Sequence, residues 1–125
     1  MKKVIALLLA TVLLLTPLLA CAATPRYAYT GSVNCSLTFS GSTAICSGSI
    51  QPTGNYPVSI VVSLYYLSDN GWTHLRSWYN KTTGGSTAAA GGSCAATESG
   101  TYKLTVTGNV NNGSEAPSKT ILRTK

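Results

Sequence analysis

The sequence predicts an all-β domain, a single sandwich of about seven antiparallel strands, and three observations carry that reading. Apolar and polar residues alternate with period two through most of the chain after residue 25. No stretch there repeats with a helical period, and turn-forming residues interrupt the alternation at the spacing of roughly 8–12 residues that a sandwich requires. The chain has 125 residues. That length gives one domain with one small core.

The N-terminal segment stands apart. Lys2 and Lys3 precede an apolar run from Val4 to Leu15, Pro17 breaks it, and small residues follow to Ala23. This is the layout of a secretory signal peptide, so residues 1–23 are expected to be removed after Ala22 or Ala23, with the β domain over 24–125. Two other readings stay open. Leu18-Leu19-Ala20-Cys21 resembles a bacterial lipobox, in which Cys21 becomes a lipidated first residue and tethers the protein to a membrane. An uncleaved anchor would use Val4 to Ala20, a stretch at the lower limit for a bilayer core of about 30 Å. The expected location is secreted, extracellular, with a membrane-anchored lipoprotein as the alternative; any membrane contact runs through this segment.

Strands follow in order. The first two, near 31–39 and 43–51, form a hairpin about Ser40-Gly41. With those two residues as the loop, Phe39 lies opposite Ser42, Leu37 opposite Ala44 and Cys35 opposite Cys46, and the apolar side chains share one face. In an oxidising compartment Cys35 and Cys46 are then expected to form a disulfide, stabilising the domain by roughly 3 kcal/mol. One difficulty attaches to it. Alternation makes 35/46 a hydrogen-bonded pair, with Cα atoms about 5.5 Å apart, where a cross-strand bridge is harder than at a closer pair. Cys94 is left over as a free thiol, an intermolecular link or a rival partner for Cys46.

The third strand, near 57–67, carries the clearest core, with Val58, Ile60, Val62, Leu64 and Tyr66 pointing one way. The Asn70-Gly71 turn joins it to a fourth near 72–80. A fifth, near 86–96, is weak, because its Gly, Ala, Ser and Thr content leaves little to bury; it reads as a loose edge strand or a mobile loop. The sixth, 100–110, alternates Tyr102, Leu104 and Val106 with Thr101, Lys103, Thr105 and Thr107, and the seventh covers 116–124. Such an arrangement has immunoglobulin-like or fibronectin type III-like shape. The segment Glu98-Ser99-Gly100-Thr101-Tyr102 resembles the tyrosine corner of immunoglobulin-like domains, although Leu104 stands where those domains place their second cysteine.

The mature chain also resembles small secreted Ig-like proteins of Gram-positive bacteria. The residues that carry this are the hairpin from Cys35-Ser36-Leu37 to Ala44-Ile45-Cys46, Gly71-Trp72 with Ser77-Trp78, and Ser99-Gly100-Thr101-Tyr102. The resemblance implies the fold and the compartment, and it carries no activity. Cys94 is an addition to the shared pattern.

Charge narrows the function classes. Nine Lys and Arg stand against three acids and one His, a formal net charge of +6, which becomes +4 once Lys2 and Lys3 leave. The basic residues are scattered and follow no nucleic-acid motif, so no nucleic acid is expected as partner. A glycosidase would need two carboxyls facing each other across a cleft, and Asp69, Glu98 and Glu115 fall in separate turns. Ser68, Asp69 and His74 lie on one hairpin tip without a pocket, so no enzyme is expected. No cofactor and no metal are expected either, since no cysteine pair has short Cys-x2-Cys spacing. Three Asn-x-Ser/Thr sequons, at Asn34, Asn80 and Asn112, are what chance gives in a chain this rich in Asn, Ser and Thr.

The candidate binding residues are Tyr65, Trp72, His74, Arg76 and Trp78. With the Asn70-Gly71 turn closing the hairpin of the third and fourth strands, these five and Leu67 share the face turned away from the core. Such a face suits a cell-surface glycan or protein. The alternative is that Trp72 and Trp78 fold over the sheet edge and extend the core. Two functions are therefore carried forward: a secreted binding or adhesion module, and a structural or envelope-associated protein held by Cys21 lipid or by a disulfide. Ligand identity and oligomeric state are not set by the sequence.

Overall fold

The computed structural model describes residues 27–125; the expected signal peptide and Cys21 lie outside the described residues. Seven strands run in the order expected: β1 (Thr30–Ser40), β2 (Thr43–Pro52), β3 (Val58–Ser68), β4 (Gly71–Thr82), β5 (Ala88–Ala95), β6 (Thr101–Val110) and β7 (Ser118–Thr124). All pairings are antiparallel. They form a three-stranded sheet in the order β1-β2-β5 and a four-stranded sheet in the order β4-β3-β6-β7. The fourth strand pairs with the third and so joins the larger sheet. The described residues form a single β-sandwich of the immunoglobulin-like or fibronectin type III-like kind.

The core lies between the sheets. Ile60, Val62, Leu64, Leu104, Val106 and Val110 are fully buried from one side, Ala44 and Ile50 from the other. The sheets approach closely at Gly48, where an added β-carbon would fall 2.5 Å from Val106 Cγ2 and 2.8 Å from Val62 Cγ2. The tyrosine corner is present: the buried Tyr102 hydroxyl donates to the Glu98 carbonyl at 2.7 Å.

Two registers differ from those expected. In the first hairpin Ser40 pairs with Thr43, so Gly41 and Ser42 form the loop. Gly41 has φ 58°, a value that suits the glycine of a type II′ turn at this first loop position. Moving the loop by one residue moves every pair by two, which preserves the faces and changes the partners. Cys35 lies opposite Gly48, and Cys46 opposite Leu37. The expected Cys35–Cys46 bridge is absent: Cys35, Cys46 and Cys94 are all free thiols.

The second difference is a bulge in the β3–β4 pair. Asp69 and Asn70 form the turn in place of the expected Asn70-Gly71, since Ser68 pairs with Gly71, and this register holds as far as Tyr65 with His74. Leu64 then pairs with Arg76, leaving Leu75 as the extra residue. A bulge shifts the alternation by one residue, so side chains beyond it change face.

The fifth strand is an edge strand of the smaller sheet, the first of the two readings, and not a loop. It pairs with β2 from Thr43 with Ala95 to Ile50 with Ala88. Its small residues have a cause in packing, because Trp78 of β4 lies over Gly92. Asn80 Nδ2 donates to the Ala89 carbonyl at 2.8 Å, and Arg76 Nη1 donates to the Ser93 carbonyl at 3.3 Å. Side chains of one sheet thus occupy carbonyls on the outer edge of the other.

Candidate functional site

The bulge divides the five candidate residues. Tyr65, Trp72 and His74 point outward from the four-stranded sheet; Arg76 and Trp78 point inward over β5. The expectation that all five share one face is therefore corrected. Trp78 is partly buried against the core, with the Arg76 guanidinium 5.5 Å from its ring centroid. For this tryptophan the core-extending alternative holds. Trp72 remains 40% exposed.

The outer cluster gains a residue from β6. Register places Lys103 beside Tyr65 on one side and Leu122 of β7 on the other. Its ammonium lies 4.4 Å from the Trp72 ring centroid and 4.8 Å from that of Tyr65. Each contact of this kind at an exposed site is worth about 0.5–1 kcal/mol. The consequence is chemical as well as energetic: Lys103 sits over both rings, so the cluster presents a held positive charge among aromatic edges.

His74 packs edge-on to Tyr65 with centroids 5.3 Å apart. Its Nε2 is 2.6 Å from Ser77 Oγ, which is 2.7 Å from Ser63 Oγ. This hydroxyl chain fixes the imidazole against the sheet. No group of three His, Cys, Asp or Glu side chains is placed to hold a metal among the described residues.

The same outward face continues along the strands. Thr101, Thr105, Thr107 and Asn109 of β6, Thr120 and Thr124 of β7, and Tyr79 and Lys81 of β4 all lie on it. It carries no acidic side chain from any of its four strands. Sequence reading put Lys103 outward but could not place it beside Tyr65, because that contact depends on which strand adjoins β3. It missed Tyr79, because the bulge had to be known first.

The cysteines occupy the inner face of the smaller sheet. Burial pushes the Cys46 thiol up to about 11, and the neighbouring Cys94 and Cys35 add to the shift. Burial also raises Cys35, with Lys119 and Arg123 acting in the opposite sense. The Cys35 thiol contacts the Leu104 carbonyl at 3.7 Å.

No protein-family model matches the chain. No curated protein matches it either. Solved structures share its architecture at low identity. OgpA from Akkermansia muciniphila aligns with TM-score 0.49 and 10% identity, over 82% of this chain and 30% of its own. Bacteroides uniformis beta-glucuronidase 2, solved covalently bound to cyclophellitol-6-carboxylate aziridine, aligns with TM-score 0.50 and 12% identity, over 74% of this chain and 13% of its own. CsgH of R. palustris aligns with TM-score 0.48 and 11% identity, over 72% and 89%. This chain thus spans under a third of OgpA. At these identities the likeness concerns the fold alone.

Proposed function

We propose that the chain is an exported, non-enzymatic binding module whose contact surface is the outward face of the β4-β3-β6-β7 sheet. Its ligand is a cell-surface glycan or a cell-surface protein. The observation that carries this reading is the Tyr65–Lys103–Trp72 cluster, in which an ammonium is held between two aromatic rings on an exposed sheet face whose strands contribute no acidic side chain. Aromatic side chains beside a fixed charge are what binding surfaces concentrate. Sandwich loops and sheets hold such a cluster rigidly, so little entropy is lost on contact.

The test is a Tyr65→Ala, Trp72→Ala, Lys103→Ala triple variant, compared with the parent on arrays of cell-surface glycans and surface proteins. Loss of a signal seen with the parent supports the reading; unchanged binding overturns it. The second reading, an envelope-associated structural protein, draws on the half-buried free thiol of Cys94. Intact mass of the exported protein with and without reductant decides it. A diacylated Cys21 or a reductant-sensitive dimer would favour assembly, and an unlipidated monomer beginning at Ala23 or Thr24 would count against it.

A further inference from the structure

The outward face has a second feature at its far end. Where β3 begins and the β6–β7 loop turns, a groove of about 380 Å³ opens between Pro57, Ser59, Tyr79, Lys81, Asn109 and Asn112. That volume falls in the range of sites for single small ligands, about 300–1,000 Å³. Tyr79 is 66% exposed, the most exposed of the large hydrophobic side chains among the described residues. Its ring is free of the kind of cation contact that covers Tyr65 and Trp72. Asn111 and Asn112 both have φ 56°, a left-handed conformation that Asn adopts more readily than most residues, and this loop geometry brings Asn112 to the groove wall.

We infer that this groove binds an anionic pyranose unit, and that it is one end of a track for an extended acidic glycan along the sheet. Three groups supply complementary chemistry. The open Tyr79 ring gives a flat apolar surface for the C–H face of a sugar ring. The amides of Asn109 and Asn112 offer both donors and acceptors to neighbouring hydroxyls. Lys81 supplies the charge for a carboxylate or a sulfate ester. A polyol phosphate would find the charge but would have no ring to lay on Tyr79.

The track follows from register. Lys81 lies beside Ser59, and Lys103 beside Tyr65, six residues further along β3. At about 3.4 Å per residue the two ammonium-bearing positions are roughly 20 Å apart on one face. Val61 and Ser63 of β3 and Thr105 and Thr107 of β6 lie between them and carry no charge. The track deepens the reading of the outward face as a contact surface and rests on it; the groove by itself does not.

The experiment is a backbone-amide NMR titration of the exported protein with four probes: digalacturonate, hexagalacturonate, a sulfated hexasaccharide and neutral cellohexaose. Variants are Tyr79→Ala and Lys81→Gln at the groove and Trp72→Ala at the far end. The inference expects digalacturonate to shift amides around Tyr79, Lys81 and Asn109 alone, and hexagalacturonate to extend the shifts to Trp72. Each groove variant should weaken hexamer binding about tenfold, Lys81→Gln through one lost charge-assisted contact and Tyr79→Ala through the lost stacking surface. A sulfated probe binding more tightly than the uronate would identify sulfate esters as the source of the charge. Equal binding of cellohexaose would overturn the anionic requirement. Shifts at Trp72 without any at Tyr79 would overturn the groove and leave the wider face standing. Loss of binding in Tyr79→Ala with none in Trp72→Ala would keep the groove and overturn the track with the wider face. No shift with any probe would overturn the inference.

Discussion

The indole nitrogen of Trp78 lies 2.7 Å from where a β-carbon on Gly92 would sit. Glycine at 92 is therefore part of the seat for that ring. Gly92→Ala should destabilise the domain by about 1–3 kcal/mol, the cost of overpacking a fitted contact. Urea unfolding followed by tryptophan fluorescence would measure it, and a red-shifted native spectrum would show Trp78 displaced toward water. An unchanged midpoint would mean that the ring does not rest there.

Glu115 ties the start of the described chain to the β6–β7 loop. Its carboxylate accepts from the Ala28 and Tyr29 amides at 2.5 and 3.0 Å and from the Thr30 hydroxyl at 2.9 Å. Desolvation works to raise its pKa, but the donors from Thr30, Tyr29 and Ala28 together outweigh it and hold the carboxyl below its ordinary value. A depressed folded value means that the contribution is present at neutral pH and is lost as pH falls through the carboxylate range. Glu115→Gln should flatten that acid-side decline. The hydrogen-exchange protection factor of the Tyr29 amide, which is taken relative to the intrinsic rate at each pH, should fall in the parent on acidification and be low already at neutral pH in the variant.

The three thiols should differ in reactivity. With its pKa pushed up to about 11, Cys46 holds very little thiolate at pH 8, so its alkylation in the native protein should lag behind that of the more exposed Cys35 and Cys94. In urea all three should react alike. Mass spectrometry over an iodoacetamide time course would read this directly. The stability linked to Cys46 is complete at neutral pH and declines as pH rises from 9 toward the folded value, because the unfolded thiol ionises first.

Tyr102→Phe should cost about 1–2 kcal/mol, since it leaves the Glu98 carbonyl without its donor at 2.7 Å while preserving the ring that packs on Phe39 and Tyr66. Thermal unfolding would show the loss. Lys103→Ala should cost no more than that, because its two exposed ring contacts are worth about 0.5–1 kcal/mol each, yet it should alter the Trp72 emission that Tyr102→Phe leaves alone.

What could be read from the sequence was what neighbouring residues decide. Tyr102 and Glu98 are four apart, so the corner was visible before any sheet existed. The alternation from Val58 to Tyr66 was equally local and gave the inner face of β3. The cysteine register hinged on whether the hairpin loop was Ser40-Gly41 or Gly41-Ser42, a choice of one residue that left the faces intact and broke the expected bridge. Leu75 had the larger effect. Nothing in Trp72-Thr73-His74-Leu75-Arg76 marks a bulge locally; it is the fit of Trp78 onto Gly92, across the two sheets, that distinguishes the bulged register. Lys103 reaches Tyr65 through strand order, which no single segment contains.

The occupied carbonyls along β5 bear on how the protein behaves when many copies are crowded together. A strand of alanine, glycine and serine at a sheet edge is open to pairing with the edge of another molecule. Asn80 and Arg76 already hold Ala89 and Ser93 from the side. A second copy would have to displace an amide and a guanidinium before its own backbone could join. The corner where the sheets meet therefore acts as a guard against strand-to-strand aggregation, set by two side chains that a bulge turned inward.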